Sequence, residues 1–341
     1  MYYFYPGLLL ILVWLSWTII NHPITRLHNA VVNRNFLKVK ELLESGFDPN
    51  INFNGGLTPL YTAIRNGEYD IVTALIDHGA DINWGLNNNR TDDYLLTAIE
   101  CNHTEIVTLL VQQGAEQGID YYSFIGNEEK ITQLLINPGI ILLKRNGNTT
   151  PLCYAVLGKQ KTSIDILIRA GADINKPSFH TDTPLHQAVK IEAIDIVRYL
   201  FRYKADIDNI NIALHHAARQ GHFRIVELLV SKGADINKYI DGLAPIYLSV
   251  KSGCLDTTDF LLRNGANVHQ KDSFDGSTPI HEATSKKDLL MIELLIHYKA
   301  NVDSTTYSGG TPLGLSHGYY GYGEIEKLLL QYGATNYGNS D

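Results

Sequence analysis

The chain has 341 residues, of which 45% are hydrophobic and 19% are charged, a composition typical of a folded protein rather than a disordered one. Its 28 Lys and Arg against 36 Asp and Glu give a net charge of −8, which argues against a general nucleic-acid-binding protein. The three cysteines are scattered and never form a CxxC pair, which argues against a disulfide framework or a cysteine-based zinc site.

The first twenty residues carry no charged side chain, and residues 7–20 read GLLLILVWLSWTII. Because a helix of this length spans about 30 Å, the hydrocarbon thickness of a bilayer, we expect residues 1–21 to form a single transmembrane anchor. Cations follow the segment but none precedes it, which predicts a cytoplasmic location for the remaining chain: Arg26, Arg34, Lys38 and Lys40. Two alternatives stay open, namely a cleaved signal peptide, which would make the protein secreted, and an apolar helix packed on the following domain.

An alanine-centred phrase recurs through the rest of the chain. Residues 58–63 read TPLYTA, residues 183–188 read TPLHQA, and related copies begin at Thr150 and Thr278. The alanine position recurs about every 33 residues, at Ala30, Ala63, Ala98, Ser123, Ala155, Ala188, Ala217, Ser249, Ala283 and Ser316. This regular spacing indicates ten structural repeats.

The repeated phrase predicts a pair of short helices. Threonine is a good N-cap, proline suits the first helical position, and the leucine faces inward. Gly67, Gly221 and Gly253, four residues after the alanine position, permit the left-handed residue that ends a helix. Apolar pairs at 71–72 and 75–76 give a second helix one core-facing side. Helices this short are unstable alone, so neighbouring repeats must stack.

The phrase and its period resemble the ankyrin repeat over residues 24–335. The resemblance implies an all-α solenoid of stacked helix-turn-helix units with β-hairpin fingers, here preceded by one apolar helix. Residues 336–341 would form a loose tail. The fourth unit lacks room for a finger, and we expect the stack to be weakest near residues 119–127. The family also uses the histidine of the phrase to bond neighbouring backbone, which we expect of His28, His186, His215 and His281.

The sequence contains no phrase typical of catalysis, such as a Gly-rich phosphate loop, H-E-x-x-H or G-x-S-x-G. We therefore expect a non-enzyme without a cofactor or metal. The resemblance implies a protein-interaction scaffold that binds a protein partner through finger tips and the concave first-helix face. We also expect it to be a monomer that residues 1–20 tether to a membrane. The alternatives are an exported effector that acts on foreign proteins, and a regulatory subunit of an enzyme or channel.

Two groups of residues are candidate partner-binding positions. Aromatic residues are the usual anchors of protein interfaces, and six occur in the predicted fingers: Phe53, Trp84, Phe179, Tyr239, Phe274 and Tyr307. Four cations on first helices would form a basic row for an acidic partner: Lys190, Arg219, Lys251 and Lys286. The alternatives are that the aromatics pack against adjacent fingers and that the cations are ordinary solvated helix surface.

Overall fold

The computed structural model describes residues 23–52, 57–84, 93–136, 150–177, 182–204, 206–316 and 323–335. The hydrophobic segment 1–21, the tail 336–341, Phe53 and Phe179 lie outside these residues, so the predictions made for them stay predictions. Among the residues described, no helix combines the length and the apolar character needed to cross a membrane.

Helices follow one another in pairs, and the described residues contain ten such pairs. The first helices are α1 Pro23–Val32, α3 Pro59–Asn66, α5 Tyr94–Glu100, α7 Ile119–Ile125, α9 Pro151–Leu157, α11 Pro184–Lys190, α13 Ile207–Gln220, α15 Pro245–Lys251, α17 Pro279–Ser285 and α19 Pro312–Ser316. The second helices are α2 Phe36–Glu44, α4 Tyr69–Asp77, α6 Thr104–Gln112, α8 Glu128–Leu135, α10 Lys161–Arg169, α12 Ile194–Leu200, α14 Phe223–Ser231, α16 Leu255–Arg263, α18 Leu289–His297 and α20 Gly323–Gln331. A short 3-10 helix, Phe201–Tyr203, extends α12.

The predicted helix ends are confirmed. The Thr58 hydroxyl accepts a hydrogen bond from the Tyr61 amide at 3.1 Å, and Pro59 occupies the first position of α3. Gly67 ends α3 in the left-handed region with a φ of 75°. In five pairs, the left-handed residue that follows the first helix is not glycine: Arg34, Asn102, Lys159, Glu192 and Lys287.

The described residues divide between Tyr122 and Ser123, within α7, into two compact bodies. In the front body, α1, α3 and α5 pack in succession, and so do α2, α4 and α6. In the back body, the first helices from α9 to α19 pack in succession, and α12, α14, α16 and α18 follow the same pattern. The same positions are buried in most pairs, as pair 2 illustrates: Leu60, Ala63, Ile64, Ile71, Val72 and Leu75.

The prediction of β-hairpin fingers is wrong for the described residues, which contain no β-strand. Ile240 and Leu243 form only an isolated antiparallel bridge. The Asp-Ile-Asn phrase folds into a tight turn because the aspartate accepts a hydrogen bond from the backbone two residues on, as Asp235 does from Asn237 at 2.9 Å. The side-chain amide of Asn237 donates to the carbonyl of Gly265 in the next finger at 3.0 Å. Side-chain amides, rather than a strand ladder, therefore join these fingers.

Three pairs depart from the common pattern where the sequence is irregular. The segment from Gln112 to Ile119 leaves no room for a finger before α7. Helix α13 has 14 residues, twice the length of α11, because the residues that build a finger elsewhere are helical here. Helix α19 has only five residues. Finger length therefore varies while the paired helices remain.

Candidate protein-interaction surfaces

Three histidines of the repeated phrase, His186, His215 and His281, bond backbone groups and link consecutive pairs. His215 Nε2 lies 3.2 Å from the carbonyl of Leu243, just before α15. His186 Nδ1 accepts from the Thr183 amide at 3.2 Å, and its Nε2 lies 3.0 Å from the carbonyl of Asn209 in the next pair. His281 makes the equivalent contacts to the Thr278 amide and the Gly310 carbonyl, both at 3.2 Å. Burial lowers the pKa of His281, which favours the neutral ring. The part of the chain that the structure describes contains no cluster of His, Cys, Asp or Glu suited to a metal ion.

The finger between α16 and α17 is organised by a buried carboxylate. Asp272 Oδ1 accepts from the backbone amides of Phe274, Asp275 and Gly276, each at 3.0 Å. The Asp272 amide in turn donates to the Ser277 carbonyl at 2.8 Å. These bonds hold the loop in one conformation, with Phe274 at its tip 72% exposed.

Tyr307, in the following finger, is 67% exposed and yet held in place. Its amide donates to the Asp275 carbonyl at 2.7 Å, and its hydroxyl donates to the Asp272 carbonyl at 3.3 Å. The Lys271 ammonium lies 5.6 Å from the centre of the Tyr307 ring, within the range of a cation–π interaction. The ring is thus fixed by the preceding finger while much of it faces solvent.

Tyr239 completes a run of aromatics in three consecutive fingers, and its hydroxyl donates to the Lys271 carbonyl. Its ring is 42% exposed. Tyr239 and Tyr307 therefore combine packing against an adjacent finger with exposure to solvent, two roles that the sequence presents as alternatives. We name Tyr239, Phe274 and Tyr307 the aromatic finger surface. Trp84 is half-buried in the front body and does not belong to it.

The predicted row of cations lies on helices that pack in succession. Lys190, Arg219 and Lys251 occupy equivalent positions in the last turns of α11, α13 and α15. Lys190 Nζ is 2.5 Å from Oδ2 of the buried Asp182, so much of its charge is offset. Arg219 and Lys251 are exposed, and neither takes part in an ion pair within the described ranges. Lys286 Nζ lies 4.0 Å from a Glu282 carboxylate oxygen.

His216 lies beside Lys190 and adds no charge to this row at neutral pH. Burial is the main cause that lowers the pKa of His216 to about 4, and the nearby positive charge of Lys190 acts in the same direction. The field of the row therefore depends on its lysines and arginine, of which Arg219 and Lys251 are the unpaired members.

A tyrosine–aspartate contact that was not predicted from the sequence recurs on second helices. The Tyr199 hydroxyl donates to Asp165 Oδ2 at 2.6 Å, and the Tyr203 hydroxyl donates to the other oxygen. Likewise, the Tyr298 hydroxyl donates to Asp259 Oδ1 at 2.9 Å. A sequence pattern could have indicated this contact. Asp165 and Asp259 occupy the fifth position of α10 and of α16, and a tyrosine follows each of them 38 or 39 residues later.

Known proteins resemble this chain over much of its length. Human transient receptor potential cation channel subfamily A member 1 is 25% identical over an alignment 371 positions long. The alignment covers 89% of this chain and 33% of that protein. The chicken nuclear factor NF-kappa-B p105 subunit is 32% identical over 162 residues, 45% of this chain and 16% of that protein. The chain thus spans a third or less of the length of both relatives.

The fold also resembles a solved structure, the ankyrin repeat domain of Bcl-3, described as a unique member of the IkappaB protein family. The two are 26% identical with a TM-score of 0.53, and the match covers 59% of this chain and 93% of the Bcl-3 chain. The family model for ankyrin repeats in three copies matches residues 27–122, 178–240 and 246–340, more than half of the sequence. On these grounds, the chain belongs to the ankyrin-repeat family.

Proposed function

We propose that this protein is a non-enzymatic scaffold that binds a protein partner through the aromatic finger surface. The observation that carries the proposal is Phe274, a residue that is 72% exposed on a loop that Asp272 holds with three hydrogen bonds. Burial of such a side chain is worth about 1.5–3 kcal/mol. Because the loop is already ordered, little conformational entropy is lost when a partner covers it.

The resemblance to ankyrin-repeat proteins of the IkappaB type supports an interaction scaffold in general terms. The first-helix cations would contribute differently from the aromatics. Arg219 and Lys251, with a partly offset Lys190, would steer an acidic partner and raise its association rate. This effect would weaken with salt, because exposed charges are screened beyond about 10 Å at 0.1 M.

The test begins with affinity capture of a partner by the full chain, followed by binding kinetics on the captured protein. We expect Phe274→Ala with Tyr307→Ala to raise the dissociation rate at least tenfold. Reversal of Lys190, Arg219 and Lys251 to Glu should lower the association rate, and only at low salt. Tyr332→Ala removes an aromatic ring that is 52% exposed outside the fingers and serves as the matched control. A partner that binds the Phe274/Tyr307 variant as tightly as the natural chain would refute the role of the aromatic finger surface.

We infer that residues 1–20 tether the scaffold to a membrane, and the first helix pair supports this over an apolar helix packed on the repeats. Lys38 occupies a position that is buried in eight of the other nine pairs and apolar in six of them, as Ile71 and Ile225 show. Lys38 is part-exposed and pairs with Glu41 at 2.6 Å. An apolar helix laid over this position would desolvate the ion pair at a net cost.

Carbonate extraction of membranes from cells that express the full chain tests the tether. We expect the intact chain in the membrane pellet, with the ankyrin repeats accessible to protease from the cytoplasmic side. A chain recovered in the soluble fraction without residues 1–20 would instead show cleavage of a signal peptide. The monomeric state and the cytoplasmic location stay predictions.

A further inference from the structure

A groove of about 490 Å³ lies between the second helices α12 and α14 of the back body. Its lining residues are Arg198, Arg224, Glu227, Leu228 and Ser231. Both arginines are exposed, and in the described part of the chain neither belongs to an ion pair. Each of the two helices therefore contributes one unpaired arginine to the lining of the same depression.

Arg224 breaks a charge pattern that six of the other nine second helices share. The second residue of these helices is acidic in six of the ten pairs: Asp70, Glu105, Glu129, Asp195, Asp256 and Glu324. An acidic residue there interacts favourably with the positive end of the helix dipole, whereas Arg224 opposes it. Residues that break a local rule without a structural gain are candidates for a functional role.

Arg198 reverses charge in the same way at the fifth helix position. That position carries a carboxylate in four of the six other second helices of the back body, Asp165, Glu227, Asp259 and Glu293, whereas the remaining two carry Thr132 and Lys327. The two sign reversals occur in adjacent pairs and meet in one groove.

The surroundings of the groove are basic on an acidic chain. Residues 194–204 and 223–232 contain five Lys and Arg against two Asp and Glu, while the whole chain has a net charge of −8. Arg202 lies 4.9 Å above the Tyr199 ring, and Lys232 lies 5.8 Å from the centre of the Phe201 ring. These aromatic contacts orient cations that flank the groove in sequence, although Asp165 offsets part of the charge of Arg202.

We propose that this groove binds an acidic segment of a polypeptide, with a carboxylate held between Arg198 and Arg224. Guanidinium groups suit carboxylates because they donate paired, parallel hydrogen bonds. Glu227 within the groove repels a continuous polyanion. It therefore favours a peptide that has a hydrogen-bond donor next to the peptide carboxylate. Leu228 offers that peptide an apolar contact. This surface is separate from the aromatic finger surface and does not depend on it.

The experiment selects random twelve-residue peptides displayed on phage against the full chain in nonionic detergent. Enriched peptides are then labelled with a fluorophore and titrated against variants by anisotropy. We expect enrichment of peptides that contain Asp or Glu, and at least a tenfold loss of affinity for Arg198→Glu with Arg224→Glu. The matched control, Lys40→Glu with Lys327→Glu, makes the same change in net charge at the fifth position of other second helices and should leave affinity unchanged.

The outcomes distinguish a peptide-binding groove from a general charge effect and from a polyanion site. An equal loss of affinity in the control variant would mean that long-range charge alone causes the effect, and this would overturn the proposal. Enriched peptides that contain no excess of Asp and Glu would also overturn it. Tighter binding of a twelve-nucleotide single-stranded DNA or of phosphatidylserine vesicles, lost in the arginine variant, would replace the peptide by a polyanion. The variants should melt no lower than the natural chain, because Glu at position 224 restores the favoured dipole interaction. Retained peptide binding by the Phe274/Tyr307 variant would show that the groove acts independently of the proposed finger contact.

Discussion

The segment between helix pairs has a different structure in two regions of the back body. Between α16 and α17 the chain builds an ordered finger around Asp272 and exposes an aromatic ring at its tip. Before α13 the same stretch is helical, and the distinctive groups there are the arginines on the second helices. Leu185 and Ile280, at equivalent core positions in the two regions, are each 1% exposed. The packed helices therefore do not need a finger, which leaves that segment free to vary and to take on recognition.

The largest expected effect tests whether the two regions share one kind of core. Leu185→Ala and Ile280→Ala should each lower the free energy of unfolding by about 2–5 kcal/mol, because each removes buried methyl groups and leaves a cavity. Urea denaturation followed by circular dichroism measures both. A loss below about 0.5 kcal/mol at either site would mean that its core face is misplaced and that the two regions are not equivalent.

Asp272→Ala should act mainly on the finger region, with a smaller effect at Tyr247 of α15, which also interacts with Asp272. The change leaves three backbone amides without their acceptor, and we expect a cost of about 1–3 kcal/mol. Hydrogen exchange at Phe274, Asp275 and Gly276 should accelerate, since all three amides bond to Asp272 Oδ1. Asp275→Ala, which removes one acceptor for the Ser277 amide, is the matched control and should have a smaller effect. Unchanged exchange at the three amides would show that Asp272 does not order the loop.

The helical region should show its own dependence on pH through Asp165. Burial raises the pKa of Asp165, but hydrogen bonds from Tyr199 and Tyr203 outweigh it and hold that pKa below its usual value. A carboxyl with a lowered folded-state pKa stabilises the protein above about pH 4, and this contribution is lost as pH falls through the folded-state pKa. Tyr199→Phe with Tyr203→Phe should therefore cost about 0.5 kcal/mol per hydroxyl at pH 7 and progressively less below pH 4.

Urea titrations between pH 7 and pH 2.5 would measure that pH dependence. Tyr332→Phe, an exposed tyrosine outside the cluster, should show no such trend. A stability difference between the double variant and the natural chain that stays constant across this range would mean that the two hydroxyls act independently of the Asp165 charge.

The smallest expected effect concerns the left-handed residue that ends first helices. The region of pairs 5 and 6 uses Lys159 and Glu192 there, whereas α13 ends with Gly221. Lys159→Gly should raise stability by about 0.5 kcal/mol, because relief of left-handed strain slightly exceeds the added entropy of the unfolded chain. Gly221→Ala should destabilise, since its φ is 72° and a Cβ would lie 2.2 Å from Cys254 Sγ. Thermal melting measures both variants, and two shifts of the same sign would contradict the assignment of strain to Lys159.

Local features of the fold were predictable from the sequence because they depend on neighbouring residues. Thr58 caps α3 and Gly67 ends it through contacts within one turn, and both were predicted. The β-hairpin fingers were wrong because that expectation came from the family, while the aspartate of each Asp-Ile-Asn phrase bonds its own backbone and forms a turn. Local hydrogen bonding thus decided the finger conformation.

Features of the candidate surfaces that depend on packing were not predictable. The pairing of Lys190 with Asp182 requires a loop to fold back on its helix, and no periodic pattern reports it. Arg198 and Arg224 lie on different helices, so their common groove emerges only when α12 and α14 pack. The exposed cations and aromatics were visible in the sequence, but the groups that neutralise or immobilise them were not.

The asparagine amides that join the fingers have a consequence for how such a chain can grow. Asn50 donates to the Gly79 carbonyl at 2.9 Å and accepts from the Asp81 amide at 2.7 Å. Asn237 makes the same two contacts to Gly265 and Asn267. Each of these side-chain amides bonds only main-chain atoms of the next finger. This contact between fingers therefore does not depend on which side chains follow. The contact between fingers is therefore kept when a whole helix pair is duplicated or lost, and only the apolar contacts between successive helices still have to match.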